Sequence, residues 1–303
     1  MTDYLKEHLN VWWLRPEQAV WDARASEIAE PFAFKSPSLD LGCGNGLYSF
    51  ISAGGRLNES YDWFIHARSS GFSRNSDSFD MPLRFDPSRA ILRRPRARID
   101  FAFDHKPNLL AQAGRLGLYK NLKQGDANAR LPFQEGELST VYSNILYWLR
   151  DPRARFQDIS RVLRAGGRAI LSLQDPSFKT ICESYQWRAK RSELLRMLNR
   201  GRAECSHWTA TLSDIKAFGR DAGLRLVHSR RYLSARTLRF WDVGLRPLFP
   251  PLLEMTRRLR PKDRQEVKSL WMETALPLLR EMLELERREG DRGGYHFVVL
   301  EKY

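Results

Sequence analysis

Cysteines are scarce in this sequence, and the few present lie far apart. Cys43, Cys182 and Cys205 are too few for a disulfide framework, and none has the paired spacing that binds structural zinc. Nowhere do about eighteen apolar residues follow one another, and the N-terminus lacks a basic stretch followed by an apolar one. These absences predict a cytoplasmic protein without a transmembrane segment or a metal site.

Acidic residues are also in short supply. The 303 residues include 36 Asp and Glu against 50 Lys and Arg, which leaves a formal charge of +14. So large an excess predicts an acidic partner, such as a nucleic acid, an anionic membrane surface or a phosphorylated small molecule. Hydrophobic residues make up 42% of the chain, which is enough for a substantial core at this length.

One short segment leaves out side chains at alternate positions. Residues 38–50, SLDLGCGNGLYSF, place three glycines directly behind a short apolar run. The run is typical of a buried strand, and the glycines are typical of the turn that follows, because glycine accepts positive φ and exposes backbone N–H groups. Cys43 inside this turn is interpreted mainly as a side chain small enough to fit. The turn therefore predicts the close approach of a ligand.

Strand and helix patterns alternate beyond the glycine turn. Residues 99–104, 120–128, 138–146 and 168–175 are predicted to be strands, and residues 107–117 and 151–167 are predicted to be helices between them. This alternation builds a mostly parallel sheet with helices on both faces. Polar residues gather at the carboxyl end of each strand, where open α/β sheets bind their ligands.

Five sequence blocks carry a family resemblance. In order they are LDLGCGNG, IDFAFDHKPNLLAQA, GDANARLPF, STVYSNILYWL and ISRVLRAGGRAILSL. They resemble the class I S-adenosylmethionine-dependent methyltransferases, in the small-molecule branch called type 11. The resemblance covers about 36–175 and returns at 211–231 and 295–303. It implies a Rossmann-like, doubly wound, seven-stranded α/β sheet, mostly parallel with an antiparallel last strand, that binds S-adenosylmethionine.

The resemblance also divides the chain. Residues 1–35 are predicted to form an N-terminal helical segment, and residues 36–303 a methyltransferase domain with three insertions. The insertion at 54–97 is predicted to be a lid over the cofactor or, alternatively, a structural excursion at the sheet edge. The insertions at 176–210 and 235–290 are predicted to be helical caps that hold the acceptor specificity.

Cofactor-binding residues follow from the same resemblance. A carboxylate beside the glycines suits the ammonium of the methionine part, a second suits the ribose diol, and a third suits the adenine amino group. Tyr147 and Trp148 would wall the acceptor pocket, or else belong to ordinary helix packing. The implied cofactor residues are Asp40, Gly42, Cys43, Gly44, Gly46, Asp104, His105, Asp126, Ala127 and Asn144.

Other ligands for this turn fit the sequence less well. A nicotinamide dinucleotide uses G-x-G-x-x-G, whereas this turn reads G-x-G-x-G. An RNA or DNA methyltransferase is an alternative because of the basic charge. However, the Asx-Pro-Pro-aromatic segment of base amino-group methylation is replaced by SNIL, and the Pro-Cys of cytosine carbon methylation is absent. A non-catalytic module that binds the cofactor is the third alternative.

The sequence gives less information about the methyl acceptor. Methyl transfer from a sulfonium needs mainly alignment, although a base helps with a hydroxyl acceptor, and His207 and His66 are the candidate bases. Residues 230–264 hold ten basic and three acidic residues among clustered apolar side chains. This composition favours an anionic, lipid-linked or saccharide acceptor met at an anionic membrane face. The alternative is a cap helix whose apolar side packs inward.

Overall fold

The computed structural model describes residues 2–32, 34–65, 67 and 87–303. Its main sheet has seven strands: β1 Ser38–Leu41, β2 Ile99–Asp104, β3 Tyr119–Gln124, β4 Leu138–Ser143, β5 Leu163–Gln174, β6 Leu224–Tyr232 and β7 Tyr295–Lys302. Their spatial order is β3-β2-β1-β4-β5-β7-β6. The strands from β1 to β5 are parallel, and β7 runs antiparallel to both β5 and β6. This topology confirms the predicted fold class.

Strand β1 lies at the centre of the parallel half of the sheet. Its Leu41 pairs with Phe103 of β2 on one side and with Ser143 of β4 on the other. Because parallel strands end at the same edge, the glycine turn after β1 lies beside Asp104 and the residues that follow β4. The fold thus brings the predicted site residues to one edge.

Helices connect the strands and cover the sheet on both sides. They are α1 Tyr4–Val11, α2 Pro16–Ala29, α3 Leu47–Ser52, α4 Pro87–Ala90, α5 Pro107–Arg115, α6 Pro152–Val162, α7 Ser177–Ile181, α8 Glu193–Asn199, α9 Arg202–Cys205, α10 Leu212–Asp221, α11 Ala235–Arg239, α12 Phe249–Arg257 and α13 Pro261–Glu289. Shorter 3-10 turns lie at Leu146–Trp148, Glu183–Gln186, Arg246–Leu248 and Gly290–Arg292, and a π turn lies at Phe240–Leu245. Within the described ranges, no helix is both long and apolar enough to cross a membrane.

Helix starts follow local sequence signals. The Asp151 side chain accepts a hydrogen bond from the Ala154 N–H at 3.0 Å and caps α6, whose first residue is a proline. Thr211 and Asp214 form a reciprocal capping box at the start of α10. These caps satisfy backbone donors that a helix start otherwise leaves unpaired.

The two faces of the sheet are packed differently. Successive residues of a strand point to opposite faces, so Leu171 joins the core under α6 and α10, whereas Ile170 joins a tyrosine-rich cluster on the other face. A third apolar cluster packs the N-terminal helices and α13 against α3 and α5. The N-terminal helices therefore belong to the same packed body as the sheet.

The described ends of the 54–97 insertion pack against this N-terminal region. Two short strands, Arg56–Leu57 and Ile91–Arg93, pair antiparallel. The buried rings of Trp63 and Phe64 contact Trp12, with ring centres 6.3 and 6.1 Å apart. These ends have the character of a structural excursion. Residues 68–86 lie outside the described residues, and the lid stays a prediction.

Candidate active site

The glycine turn is anchored to the end of β2. Gly42, Gly44 and Gly46 have φ values of 81°, 56° and 75°, which favour glycine. The backbone N–H groups of Gly42 and Cys43 donate to the Phe103 carbonyl at 2.8 and 3.2 Å. These bonds fix the turn against the neighbouring strand.

The three glycines are required for different reasons. A Cβ at Gly42 would lie 2.4 Å from Ile145 Cγ1, and one at Gly46 would lie 2.8 Å from the Tyr119 ring. A Cβ at Gly44 would meet no atom of the described protein within 4 Å. Gly42 and Gly46 therefore serve packing, whereas the open face of the turn lies at Gly44. Beside it, Asn45 is buried, and its Nδ2 has no hydrogen-bond partner among the described residues.

Asp104 meets the glycine turn from the end of β2. Its buried carboxylate accepts the Gly44 N–H at Oδ2 and the Lys106 N–H at Oδ1, both at 2.9 Å. Nδ1 of the exposed His105 ring lies 3.4 Å from Asp104 Oδ1. The structure therefore brings together the predicted ribose acid and the open glycine.

Asp40 lies beneath the turn. It is 2% exposed, and its Oδ2 accepts hydrogen bonds from Ser49 Oγ and from the Tyr119 hydroxyl, each at 2.6 Å. Burial raises the pKa of Asp40 to about 6, although these two bonds oppose the shift. The carboxylate thus joins α3 to β3 under the turn. Its predicted contact with the cofactor ammonium stays a prediction.

Replacing Asp40 by asparagine should change how stability depends on pH. The folded pKa of about 6 lies above the ordinary value of 3.8, so the folded state binds more protons between these values and loses stability as pH rises. Asparagine stays neutral. We expect the wild type to lose about 2.5 kcal/mol relative to Asp40→Asn between about pH 4 and pH 7. Urea unfolding at several pH values measures this difference, and a difference that does not change with pH would contradict the assigned pKa.

The turn after β3 lies next to the end of β2. The Gly125 N–H donates to the Asp104 carbonyl at 3.1 Å. Asp126 is exposed, and hydrogen bonds from the Asn128 backbone and side chain lower its pKa. The Ala127 carbonyl accepts a bond from Arg155 Nη1 at 2.7 Å. Asp126 therefore forms a local turn that is fastened to α6, and its adenine role stays a prediction.

The predicted acceptor residues follow β4. Asn144 is half-buried. Tyr147 is buried between Trp148 and Tyr295, with ring centres 5.4 and 5.8 Å away, and burial raises its pKa to about 12. The Trp148 side chain is 49% exposed. Tyr147 therefore belongs to the interior cluster, whereas Trp148 lies at the surface.

Aromatic residues absent from the predicted site extend this cluster. Tyr48, in the first turn of α3, stacks on Tyr142 of β4 with ring centres 6.0 Å apart. Trp21 contacts Tyr295 at 4.9 Å and Trp241 at 5.0 Å. Tyr48 follows the glycine turn and Tyr142 precedes the SNIL segment, and these positions are the sequence signal that could have identified them. Trp21 and Trp241 have no local signal, because they meet the site only through the fold.

Of the two candidate bases, the structure describes His207 but not His66. His207 has an exposed side chain, and its backbone N–H donates to the Tyr147 carbonyl at 2.9 Å. His66 lies outside the described residues. His8 of α1 is buried with Nε2 3.0 Å from Ser26 Oγ, and burial lowers its pKa to about 3. It is therefore neutral near pH 7.

The Cys43 thiol lies where its surroundings keep it protonated. Burial, followed by the charges of Asp40 and Asp104, raises the pKa of the Cys43 thiol, which stays protonated. Across the part of the chain that the structure describes, no group of three His, Cys, Asp or Glu side chains could hold a metal ion.

The basic segment 230–264 packs its apolar residues inward. Trp241, Phe249 and Leu253 are buried in the core. Many of its arginines are paired, as in the contact of 2.8 Å between Arg257 and Glu254. The composition suggested a membrane-facing surface, but the arrangement is that of a cap with a buried apolar side, because these side chains fill space against the N-terminal helices.

Part of the chain matches known proteins. Residues 90–171 match the family described as "Methyltransferase domain". A stretch of 82 residues is 40% identical to a malonyl-[acyl-carrier protein] O-methyltransferase from Hahella chejuensis. The match spans 26% of this chain and 28% of that relative, so this chain covers less than a third of the relative's length.

Solved structures with a similar arrangement have low sequence identity. A sarcosine dimethylglycine methyltransferase from Galdieria sulphuraria is 14% identical with a TM-score of 0.48, over 95% of this chain and 86% of that one. An S-adenosylmethionine-dependent methyltransferase from Mesorhizobium loti is 14% identical with a TM-score of 0.45, over 93% and 97%. The region that matches the methyltransferase-domain family spans β2 to β4 and most of β5, in the parallel half of the sheet.

Proposed function

We propose that this chain transfers the methyl group of S-adenosylmethionine to a small anionic acceptor. The open face at Gly44, with the Asp104 carboxylate 2.9 Å from its N–H, is the observation that carries the proposal. A ligand can approach the backbone there without meeting a side chain. The cofactor, when bound, supplies an electrophilic methyl group on a sulfonium.

The residues around Gly44 fit the polar groups of this cofactor. Asp104 would accept hydrogen bonds from the ribose diol. The buried Asn45 Nδ2, which lacks a partner among the described residues, would donate to the methionine carboxylate. The turn of Asp126 and Ala127 would meet the adenine.

The acceptor would lie at the ends of β4 and β5, beside Asn144 and Tyr147. The buried rings of Tyr142 and Tyr295 and the half-buried ring of Tyr48 would exclude water and position the acceptor. An anionic oxygen carries no proton to remove, so the exposed His207 need not act as a base. The Hahella chejuensis relative is named for O-methylation of a malonyl group, which bears a carboxylate, and this chemistry agrees with an anionic acceptor.

The alternatives have less support. The buried apolar face of the basic segment leaves only scattered exposed side chains, such as Leu248 and Met255, for an anionic membrane. An RNA acceptor would favour aromatic platforms along a basic groove, whereas Trp241 and Phe249 are buried. A non-catalytic role is disfavoured because the positions around Gly44 keep their polar groups.

Two glycine substitutions test this proposal by calorimetry with S-adenosylhomocysteine. We expect Gly44→Ala to bind the product more weakly and to lose about 1–2 kcal/mol of stability from its positive φ. Gly42→Ala is the matched control. Its Cβ would push against Ile145, so this variant should lower the melting temperature more than Gly44→Ala does.

Three results would decide against the proposal. If the wild type does not bind S-adenosylhomocysteine, or if Gly44→Ala binds it as the wild type does, the cofactor site is wrong. Stabilisation by a short RNA but not by malonyl thioesters would favour an RNA acceptor. Tight product binding without transfer of a labelled methyl group to any anionic acceptor would favour the non-catalytic module.

A further inference from the structure

An open cavity lies at the carboxyl edge of the sheet, beyond β5 as seen from the glycine turn. Its volume is about 650 Å³. Asp175 after β5, Arg231 of β6 and His296 of β7 line it, together with the first residues of α10. Strand β7 is three strands away from β1, so this cavity is separate from the open face at Gly44.

Asp175 connects the polar groups of the cavity. Its Oδ2 lies 2.8 Å from His296 Nε2, and its Oδ1 lies 3.0 Å from Arg231 Nη2. The Ser177 N–H also donates to Oδ1, at 2.9 Å. Arg231 Nε donates to the Gly293 carbonyl at 2.9 Å, and Arg231 Nη1 takes part in none of these contacts. The charge of Asp175 is therefore compensated, while Arg231 keeps a further donor.

His296 has one ring nitrogen without a partner. The residue is 3% exposed, and among the described residues its Nδ1 has no hydrogen-bond partner. A carboxylate only accepts, so the proton of the neutral ring lies on Nε2, which faces Asp175. Burial, opposed by the Asp175 hydrogen bond, lowers the pKa of His296, so the ring is neutral near pH 7. Nδ1 therefore presents a lone pair that lacks a donor.

The start of α10 brings backbone donors to the same cavity. This helix has ten residues, and its Asp214 N–H donates to Thr211 Oγ1 at 3.2 Å. Leu212 and Ser213 also line the cavity, and their N–H groups take no part in the capping box. A helix start carries a partial positive charge and unpaired N–H groups, which together suit an anion.

We propose that this cavity binds a phosphate group, with a P–O–H donating to His296 Nδ1 and the charged oxygens accepting from the start of α10 and from Arg231. Near pH 7, carboxylates and sulfate carry no proton, whereas inorganic phosphate keeps at least one. Phosphate therefore offers a donor and anionic acceptors together. The volume also has room for a molecule that bears the phosphate. The net charge of +14 agrees with a phosphorylated ligand, and this site goes beyond the proposed function.

The protonation of His296 gives the proposal a pH dependence. The charged groups around this part of the sheet are Asp175 after β5, Arg230 and Arg231 on β6, Asp291 in the turn before β7 and Asp214 at the start of α10. Aspartate and arginine side chains ordinarily titrate outside the range of about pH 5.5–8. His296 is therefore the group that would take up a proton when a fully ionised anion binds.

Calorimetric titration with sodium phosphate and sodium sulfate, at an ionic strength matched with sodium chloride, tests the proposal. At pH 7 we expect phosphate to bind about tenfold or more tightly than sulfate, which has no proton to donate to Nδ1. The affinity for sulfate should rise as pH falls from 8 to 5.5, by up to about tenfold per pH unit, because protonated His296 donates to it. Glycerol 3-phosphate at pH 6 is a third arm, which distinguishes a phosphate ester from free phosphate.

Two variants separate the parts of the site. Ser213→Asp adds a carboxylate at the exposed start of α10, where it should stabilise the helix and weaken phosphate binding about tenfold or more. Ser60→Asp is the matched control, because it adds the same charge at an exposed residue that does not line the cavity. His296→Gln keeps a donor for Asp175 but takes up no proton, so its affinity for sulfate should not change with pH.

Three results would overturn the proposal. They are phosphate binding no stronger than that of chloride, equal weakening in Ser213→Asp and Ser60→Asp, and a wild-type affinity for sulfate that equals that for phosphate at every pH. S-adenosylhomocysteine should bind Ser213→Asp as it binds the wild type. If it binds neither protein, the proposed function fails while the phosphate result stands by itself.

Discussion

Replacing Asp104 by alanine should weaken the binding of S-adenosylhomocysteine by about 10- to 150-fold. The carboxylate lies at the end of β2 beside Gly44, where it would accept charge-assisted bonds from the ribose. Such bonds contribute about 1.5–3 kcal/mol, and about 1.4 kcal/mol corresponds to a factor of ten in affinity. Calorimetry at constant pH and salt measures the change.

Asp100 provides the control for this variant because it lies on the same strand, away from the site. It accepts bonds from the Ser38 N–H and hydroxyl at 2.8 and 2.9 Å and from Lys120 Nζ at 2.7 Å. Asp100→Ala should therefore lower the melting temperature and leave the affinity unchanged. Similar weakening in both variants would indicate a general loss of structure, and wild-type affinity in Asp104→Ala would contradict the ribose role.

The sheet was largely predictable because its signals are local. The apolar run and glycines of 38–50 mark β1 and its turn, and apolar runs of strand length mark β2 and β4. Parallel strands end at one edge, so the meeting of Asp104 with the glycine turn also follows from the sequence.

The boundary between α6 and β5 was predicted wrongly. Residues 151–167 were predicted to form one helix, yet α6 ends at Val162 and β5 begins at Leu163. Leu163 pairs with Leu138 of β4. This partner lies 25 residues earlier, and no local pattern reveals it.

The acceptor side depends on contacts that are even more remote. The Trp241 ring N–H donates to Gln18 Oε1 at 3.1 Å, which links the C-terminal cap to an N-terminal helix. The composition around Trp241 suggested a membrane surface, because the sequence alone does not show whether arginines and apolar residues face the solvent or the interior. Only the packing shows that Trp241 and Arg246 point inward.

Glu286→Ala should lower the free energy of unfolding by about 3–5 kcal/mol. Glu286 is fully buried in α13 and accepts bonds from the N–H groups of Leu233 and Ser234 at 2.6 and 2.7 Å and from the Thr237 hydroxyl at 2.7 Å. Alanine would leave these three buried donors without an acceptor. Leu233 has a φ of 61°, so its turn depends on such bonds to hold an unfavourable backbone conformation.

Glu284→Ala, on the same helix, separates this effect from helix propensity and net charge. The Glu284 side chain is 48% exposed and pairs with Arg287, so its loss should cost at most about 1 kcal/mol. Urea unfolding followed by tryptophan fluorescence compares the two variants. Equal destabilisation by both variants would show that the buried carboxylate is not what holds this turn.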